Sequence, residues 1–231
     1  MSTHSVLSTK RLNDDLHKFA TACGINVIEE ELTRIELLNG DELRAVVNEV
    51  HDELVIFTSR NAVSAVSQLL NDKEKSKNWK VYAVGAGTAK VVSDLLLAKV
   101  VNEPAGDGSR LAKMIIEAET PGNAVFFCGD KRRDVVPDAL IKAGFRLKEF
   151  VVYQTILTPL KNQHDVDGIL FFSPTAVQSF FSANNISSNV VCFAIGNTTG
   201  NELRKFTTNK IITAAEPSEK EVIQLAADTL N

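Results

Sequence analysis

Phe57-Thr-Ser-Arg-Asn-Ala-Val63 and Phe171-Phe-Ser-Pro-Thr-Ala-Val177 decide how this chain is read. Each joins the end of an apolar run, a short polar turn and the start of a helix-like stripe. The two copies stand 114 residues apart, counted from Ser59 to Ser173. Val81-Tyr-Ala-Val-Gly-Ala-Gly-Thr88 is matched, after a shift of one position, by Val191-Cys-Phe-Ala-Ile-Gly-Asn-Thr-Thr199, with Gly85 and Gly196 separated by 111. Another pair sets Lys10-Arg-Leu…Ala22-Cys-Gly24 beside Lys131-Arg-Arg…Lys142-Ala-Gly144, at an offset of 120 between the glycines. Thr33 and Thr155 also fall at similar places. Several short motifs recurring at similar offsets mark an internal duplication.

Working outward, strand-length apolar runs alternate with longer amphipathic ones. The strand candidates are Asn26–Ile28, Leu54–Thr58, Val81–Val84, Lys99–Asn102, Ala124–Cys128, Arg146–Tyr153, Gly168–Phe172, Val190–Ile195 and Lys210–Thr213. Between them, Val63, Val66, Leu69 and Leu70 form a helical stripe, as do Leu111, Met114, Ile115 and Ala118, and Val135, Ala139, Leu140 and Ala143. Alternation of this kind, with apolar strands, predicts an α/β fold of parallel sheets covered on both faces. Two arrangements fit: two consecutive halves, or a chain that leaves the first domain after about Thr33, builds the second, and returns near Thr158.

The 231 residues suit one large domain or two small ones, and 44% hydrophobic with 23% charged is ordinary globular composition. A net charge of −4 gives no basic field for nucleic acid. Cys23, Cys128 and Cys192 are scattered and lack metal-ligand spacing, so they read as buried thiols in a reducing compartment. The N-terminal run lacks the apolar core of a signal peptide, and no stretch of about 18 apolar residues occurs, so a cytoplasmic chain without a membrane partner is expected.

Four turns follow strands and precede helices: Thr58-Ser59-Arg60-Asn61, Gly85-Ala86-Gly87-Thr88, Ser173-Pro174-Thr175 and Gly196-Asn197-Thr198-Thr199. Ser, Thr and Asn cap helices, and the backbone N–H groups of a helix start suit anions. In parallel sheets such turns lie where ligands bind. Lys10 with Arg11, and Lys131 with Arg132 and Arg133, add local positive charge for a polyanion. Tyr153 closes the run Phe150-Val-Val-Tyr153, where its phenol suits a proton donor; Tyr82 reads as core. The four histidines neighbour no nucleophile-like motif, and Gly85-x-Gly87 lacks the third glycine of a dinucleotide fingerprint. The sequence carries no Ser-His-Asp signature, no G-x-S-x-G, no metal cluster and no cofactor motif, which disfavours a triad hydrolase, a metalloenzyme and a nucleotide-dependent enzyme.

In order and spacing, Phe57-Thr-Ser-x-Asn-Ala-Val63, Val84-Gly-x-Gly-Thr-Ala89, Cys128-Gly-Asp-Lys-Arg-Arg-Asp…Pro137-x-x-Leu140, Val152-Tyr-Gln-Thr155, Phe171-Phe-Ser-Pro-x-Ala-Val177 and Ala194-Ile-Gly-x-Thr-Thr199 resemble the uroporphyrinogen-III synthase family. The resemblance runs from about Val6 to the C-terminus. It implies two parallel-sheet α/β domains joined by a two-stranded linker, with the active site in a cleft between them. It selects the return topology: residues 1–34 and 160–231 in one domain, 50–155 in the other, 35–49 and 156–159 as linkers. It implies a lyase without cofactor or metal, cyclising hydroxymethylbilane to uroporphyrinogen III with loss of water and inversion of ring D through a spiro intermediate. Holding the chain curled matters more there than any single acid or base. Tyr153 matches the position favoured as proton donor. Substrate contacts are expected at Lys10, Arg11, Thr58, Ser59, Arg60, Asn61, Gly85, Thr88, Lys131, Ser173, Thr175, Thr198 and Thr199. Where the family often begins with strand-Thr-Arg-Pro, this chain has Ser8-Thr9-Lys10-Arg11 without proline, which leaves open whether Lys10 or Arg11 is the basic contact. The substrate is the expected partner, with the chain monomeric. The competing reading is a two-domain protein that binds a small anion without catalysis.

Overall fold

The computed structural model describes residues 4–51, 53–72, 76 and 78–230. The elements run β1 (His4–Ser8), α1 (Asp14–Ala22), β2 (Ile25–Glu29), β3 (Thr33–Leu37), α2 (Asp41–Glu49), β4 (Leu54–Phe57), α3 (Arg60–Leu69), β5 (Lys80–Ala83) and α4 (Gly85–Leu96). They continue with α5 (Gly108–Ala118), β6 (Asn123–Gly129), α6 (Val135–Lys142), β7 (Arg146–Leu157), β8 (Gly168–Phe171), α7 (Pro174–Phe181), β9 (Val191–Ala194), α8 (Asn197–Leu203), β10 (Ile211–Thr213) and α9 (Glu219–Leu230). The chain divides into two compact units: residues 1–34 with 156–231, and residues 35–155. Residues 1–3 and 231, at the ends of the first expected domain, lie outside the described residues. No helix among the described residues is long and apolar enough to cross a membrane.

The first unit holds a sheet of order β10-β9-β8-β1-β2, and every pairing described in it is parallel. The second holds β3-β7-β6-β4-β5, with β4, β5, β6 and β7 parallel. The duplication is visible in these orders, since β9-β8-β1-β2 corresponds to β5-β4-β6-β7. Gly24 and Gly144, the paired glycines after α1 and α6, both take the left-handed conformation, at φ 77° and 92°. The chain enters the second unit along β3 and leaves it along β7, neighbours in one sheet.

Both faces of each sheet are buried, so strand residues alternate between two cores. In the second unit Val55, Phe57, Val81, Val125 and Phe127 pack with α3 and α4 residues, while Leu54, Ile56, Ala124, Phe126 and Cys128 pack with α5 and α6 residues. Phe57 stacks on Phe127 at 5.7 Å between ring centroids. In the first unit Val6, Leu170 and Phe193 face α1 and α9, and Leu7, Ile169, Phe171 and Ala194 face α7 and α8. Each fully buried Val, Leu, Ile or Phe among these contributes about 1.5–3 kcal/mol of transfer free energy.

Five details depart from the strand and helix runs read in the sequence. The central strand β1 and the exposed strand β3 were not anticipated. The Lys99–Asn102 run forms a single parallel bridge, Val81 to Val100. Asn102 explains why: its side-chain carbonyl accepts from the Ala83 N–H at 2.9 Å and its amide donates to the Ala83 carbonyl at 3.1 Å, taking the place of a ladder. On α6 the buried stripe starts at Val136, at 3% exposure, whereas Val135 is 44% exposed. β7 does not end at Tyr153 but runs on to Leu157.

Candidate functional site

The carboxyl ends of β4, β5 and β6 meet the starts of α3, α5 and α6 in a pocket of about 430 Å³ within the second unit. It is lined by Thr58, Ser59, Val84, Asp107, Gly108, Ser109, Gly129, Lys131, Arg132, Arg133, Val135, Val136 and Tyr153. This is the end of a parallel sheet at which α/β proteins bind ligands.

Tyr153 reaches the pocket through an irregularity. Cys128 of β6 faces Val151 of β7, but Gly129 faces Tyr153, so the register shifts by a residue between them. The shift lays the phenol ring across Gly129. A Cβ built there would stand 2.3 Å from Tyr153 Cζ and 2.7 Å from its oxygen. Only glycine leaves room for this ring position. The Tyr153 hydroxyl donates to Ser59 Oγ at 3.1 Å. Ser59 caps α3, and its Oγ also accepts from the Asn61 N–H at 3.1 Å. With two donors directed at it, Ser59 Oγ keeps its own proton to offer a ligand.

The basic turn is charged but partly engaged. Arg132 pairs with Asp134 and, at 2.6 Å, with Glu149 of β7. Hydrogen bonding to Asp134 holds its guanidinium above its ordinary range. Lys131 is exposed, with only a 3.9 Å approach to Asp130. Asp130 instead accepts from the Thr155 N–H at 2.8 Å. Behind the pocket, burial pushes the Cys128 thiol up to about 11, so it is no nucleophile at neutral pH. Burial likewise pushes the Cys192 thiol up to about 12.

Of the residues singled out in the sequence for ligand binding or catalysis, the pocket brings together Thr58, Ser59, Lys131, Arg132, Arg133 and Tyr153. Arg60, Asn61, Gly85 and Thr88 lie in the same unit but outside the lining. The Gly85 N–H is already taken by the Ala105 carbonyl at 2.9 Å, and Thr88 is buried at 8% exposure. Lys10, Arg11, Ser173, Thr175, Thr198 and Thr199 belong to the first unit. There Ser173 caps α7, accepting from the Ala176 N–H at 3.1 Å. Lys10 is ion-paired with Glu219 and lies 5.4 Å from the centroid of the Phe172 ring. Thr199 is buried at 3% exposure and Thr198 is exposed. Tyr82 is core, with its hydroxyl on Glu119.

The pocket also holds Asp107, Gly108 and Ser109, which the sequence reading passed over. Asp107 caps α5, its side chain accepting from the Arg110 N–H at 2.9 Å. The signal was legible: Asp-Gly-Ser stands directly before the Leu111, Met114, Ile115 stripe, a helix-start signature. It was hidden because no apolar strand directly precedes it.

Comparison with known proteins agrees with this architecture. A crystal structure of uroporphyrinogen-III synthetase from Helicobacter pylori superposes with a TM-score of 0.73 at 18% identity, covering 98% of this chain and 99% of that one. A mutant uroporphyrinogen III synthase from Thermus thermophilus gives 0.64 at 17% identity, covering 99% and 100%. In sequence, the uroporphyrinogen-III synthase of Saccharomyces cerevisiae is 30% identical over 133 residues, a match that covers 49% of this chain and spans about half (48%) of the yeast protein. The family model described as uroporphyrinogen-III synthase HemD matches residues 14–224, all of the second unit and most of the first. On that match, the chain belongs to the uroporphyrinogen-III synthase family.

Proposed function

We propose that this protein is a uroporphyrinogen-III synthase, a lyase that closes hydroxymethylbilane into uroporphyrinogen III with loss of water and inversion of ring D. The observation that carries the reading is the Tyr153–Ser59 hydroxyl pair, set in one pocket with the Lys131–Arg133 turn. The substrate bears an acetate and a propionate on each pyrrole, and a cationic turn beside helix starts suits carboxylates. In this reading Tyr153 gives a proton to the leaving hydroxyl of ring A and Ser59 holds the phenol in place. Loss of water leaves an azafulvene cation, which a substituted carbon of ring D attacks to form the spiro intermediate. That intermediate fragments and recloses with ring D turned over.

Thr58, Ser59, Arg60, Asn61, Gly85, Thr88 and Lys131 of the second unit are assigned to substrate contact. So are Lys10, Arg11, Ser173, Thr175, Thr198 and Thr199 of the first. The working domains are taken as 1–34 with 160–231, and 50–155, with 35–49 and 156–159 as linkers. The protein is proposed to act as a cytoplasmic monomer without added cofactor, nucleic acid or membrane. The test is chromatography of the product formed from hydroxymethylbilane by the purified protein alone. The type III isomer is expected; only the type I isomer of spontaneous closure would sink the reading.

A further inference from the structure

Three cationic side chains line the pocket, Lys131, Arg132 and Arg133, together with one carboxylate, Asp107. The cations suit the acidic substituents of the proposed substrate. They oppose the reaction itself, because the proposed path runs through a cation. Protonation of the ring A hydroxymethyl oxygen and cleavage of its C–O bond release water and leave one positive charge on the azafulvene. Attack by ring D forms a C–C bond and passes that charge to ring D. Fragmentation and reclosure end with loss of a proton from ring D, so one proton is taken up and one returned. A pocket built only of cations would raise every charged state along this path.

We propose that the Asp107 carboxylate is the counter-charge for that travelling cation, an inference that rests on the function proposed above. Two features make it a fixed anion. Its capping bond to the Arg110 N–H, at 2.9 Å, fixes the side chain. The next residue, Gly108, packs so closely on α6 that an added Cβ would lie 3.1 Å from Val136 Cγ2, which holds the start of α5 against the start of α6. Asp107 forms no ion pair within 4 Å among the described residues, so no basic side chain has already cancelled its charge. Arg132, by contrast, is held by Asp134 and Glu149. A preorganised anion beside a forming cation acts on the transition state and not on the polyanionic ground state, which it repels.

That asymmetry gives a signature that a purely structural cap would not produce. Asn and Ser cap helices about as well as Asp, so Asp107→Asn and Asp107→Ser remove the charge and keep the cap. In both variants kcat for the type III isomer should fall by about tenfold or more, roughly 1.4 kcal/mol of barrier. KM should stay level or fall, because one like charge no longer repels the substrate, and the melting temperature should hold. Unchanged kcat in both variants while the parent still makes the type III isomer overturns the inference and leaves the function standing. A raised KM with a lowered melting temperature also overturns it, since that is the mark of a lost cap. A parent protein that makes no type III isomer overturns the function, and the inference with it.

Discussion

Replacing Gly129 by alanine tests how the pocket is built. The added methyl carbon would stand 2.3, 2.5 and 2.7 Å from three atoms of the Tyr153 phenol. Unstrained carbon contacts lie at about 3.5–4.0 Å, so the ring must retreat by about 1 Å or more. It cannot retreat freely. Tyr153 packs against the core containing Phe57 and Phe127, its backbone is fixed in β7, and its hydroxyl is tied to Ser59 at 3.1 Å. Overpacking of this kind costs about 1–3 kcal/mol and the lost hydrogen bond about 1 more. A destabilisation of roughly 2–4 kcal/mol is therefore expected in urea unfolding, with type III turnover falling because Tyr153 leaves Ser59. The decisive measurement is a double-mutant cycle. In a Tyr153→Ala background the ring is gone, and Gly129→Ala should cost less than about 1 kcal/mol. If Gly129→Ala costs as much there as in the parent protein, the ring is not what demands glycine, and the argument from close approach is wrong.

Tyr153→Phe should lower turnover by more than about tenfold yet leave activity measurable, since general acid catalysis adds to positioning and does not replace it; unchanged turnover removes Tyr153 from the proposed mechanism. Glu119 offers a pH-linked stability test away from the pocket. Burial pushes its carboxyl up, but hydrogen bonds from Lys80 and Tyr82 outweigh burial and hold it below its ordinary 4.5. A carboxyl lowered by folding stabilises above its unfolded value, and that contribution is lost as pH falls through the folded value. Glu119→Gln should therefore be less stable than the parent at neutral pH, with the gap closing as pH drops below 4.5; a gap independent of pH would show that the charge contributes nothing.

The α/β architecture was legible because the buried strands carry near-continuous apolar runs. Leu54–Phe57 and Gly168–Phe171 are buried at every position, which parallel pairing under two helix layers requires. β3 was not legible for the opposite reason: Thr33–Leu37 is half-exposed or exposed throughout, so burial left no mark on its composition. His4–Ser8 hides differently. Only Val6, Leu7 and Ser8 are buried, too short a run to stand out, yet the strand is central because β2 and β8 flank it. Capping chemistry was readable at Ser59 in the pocket and at Ser173 in the first unit, since a cap depends on adjacent residues. Pairings across the sheet were not. The Tyr153–Ser59 bond spans 94 positions, and the shift that enables it lies in the pairing of β6 with β7, invisible in either strand alone. Burial was equally illegible: at Thr88 and Thr199 a polar residue of a turn motif is buried by the helix it begins.

The sheet order of the first unit also dictates a sequence of events during synthesis. β1 leaves the ribosome well before its partner β8, which lies far along the chain; the Thr9 hydroxyl waits for the Leu170 carbonyl, 161 residues later. The second unit is contiguous and can close as soon as β7 is made. Until then β1, α1 and β2 are an unfinished sheet with an apolar strand and an open edge, the kind of surface that recruits chaperones or wrong partners. Completion of the first unit is thus tied to synthesis of the segment from β8 onward, and a chain cut short before β8 leaves a closed second unit carrying an orphaned, aggregation-prone arm.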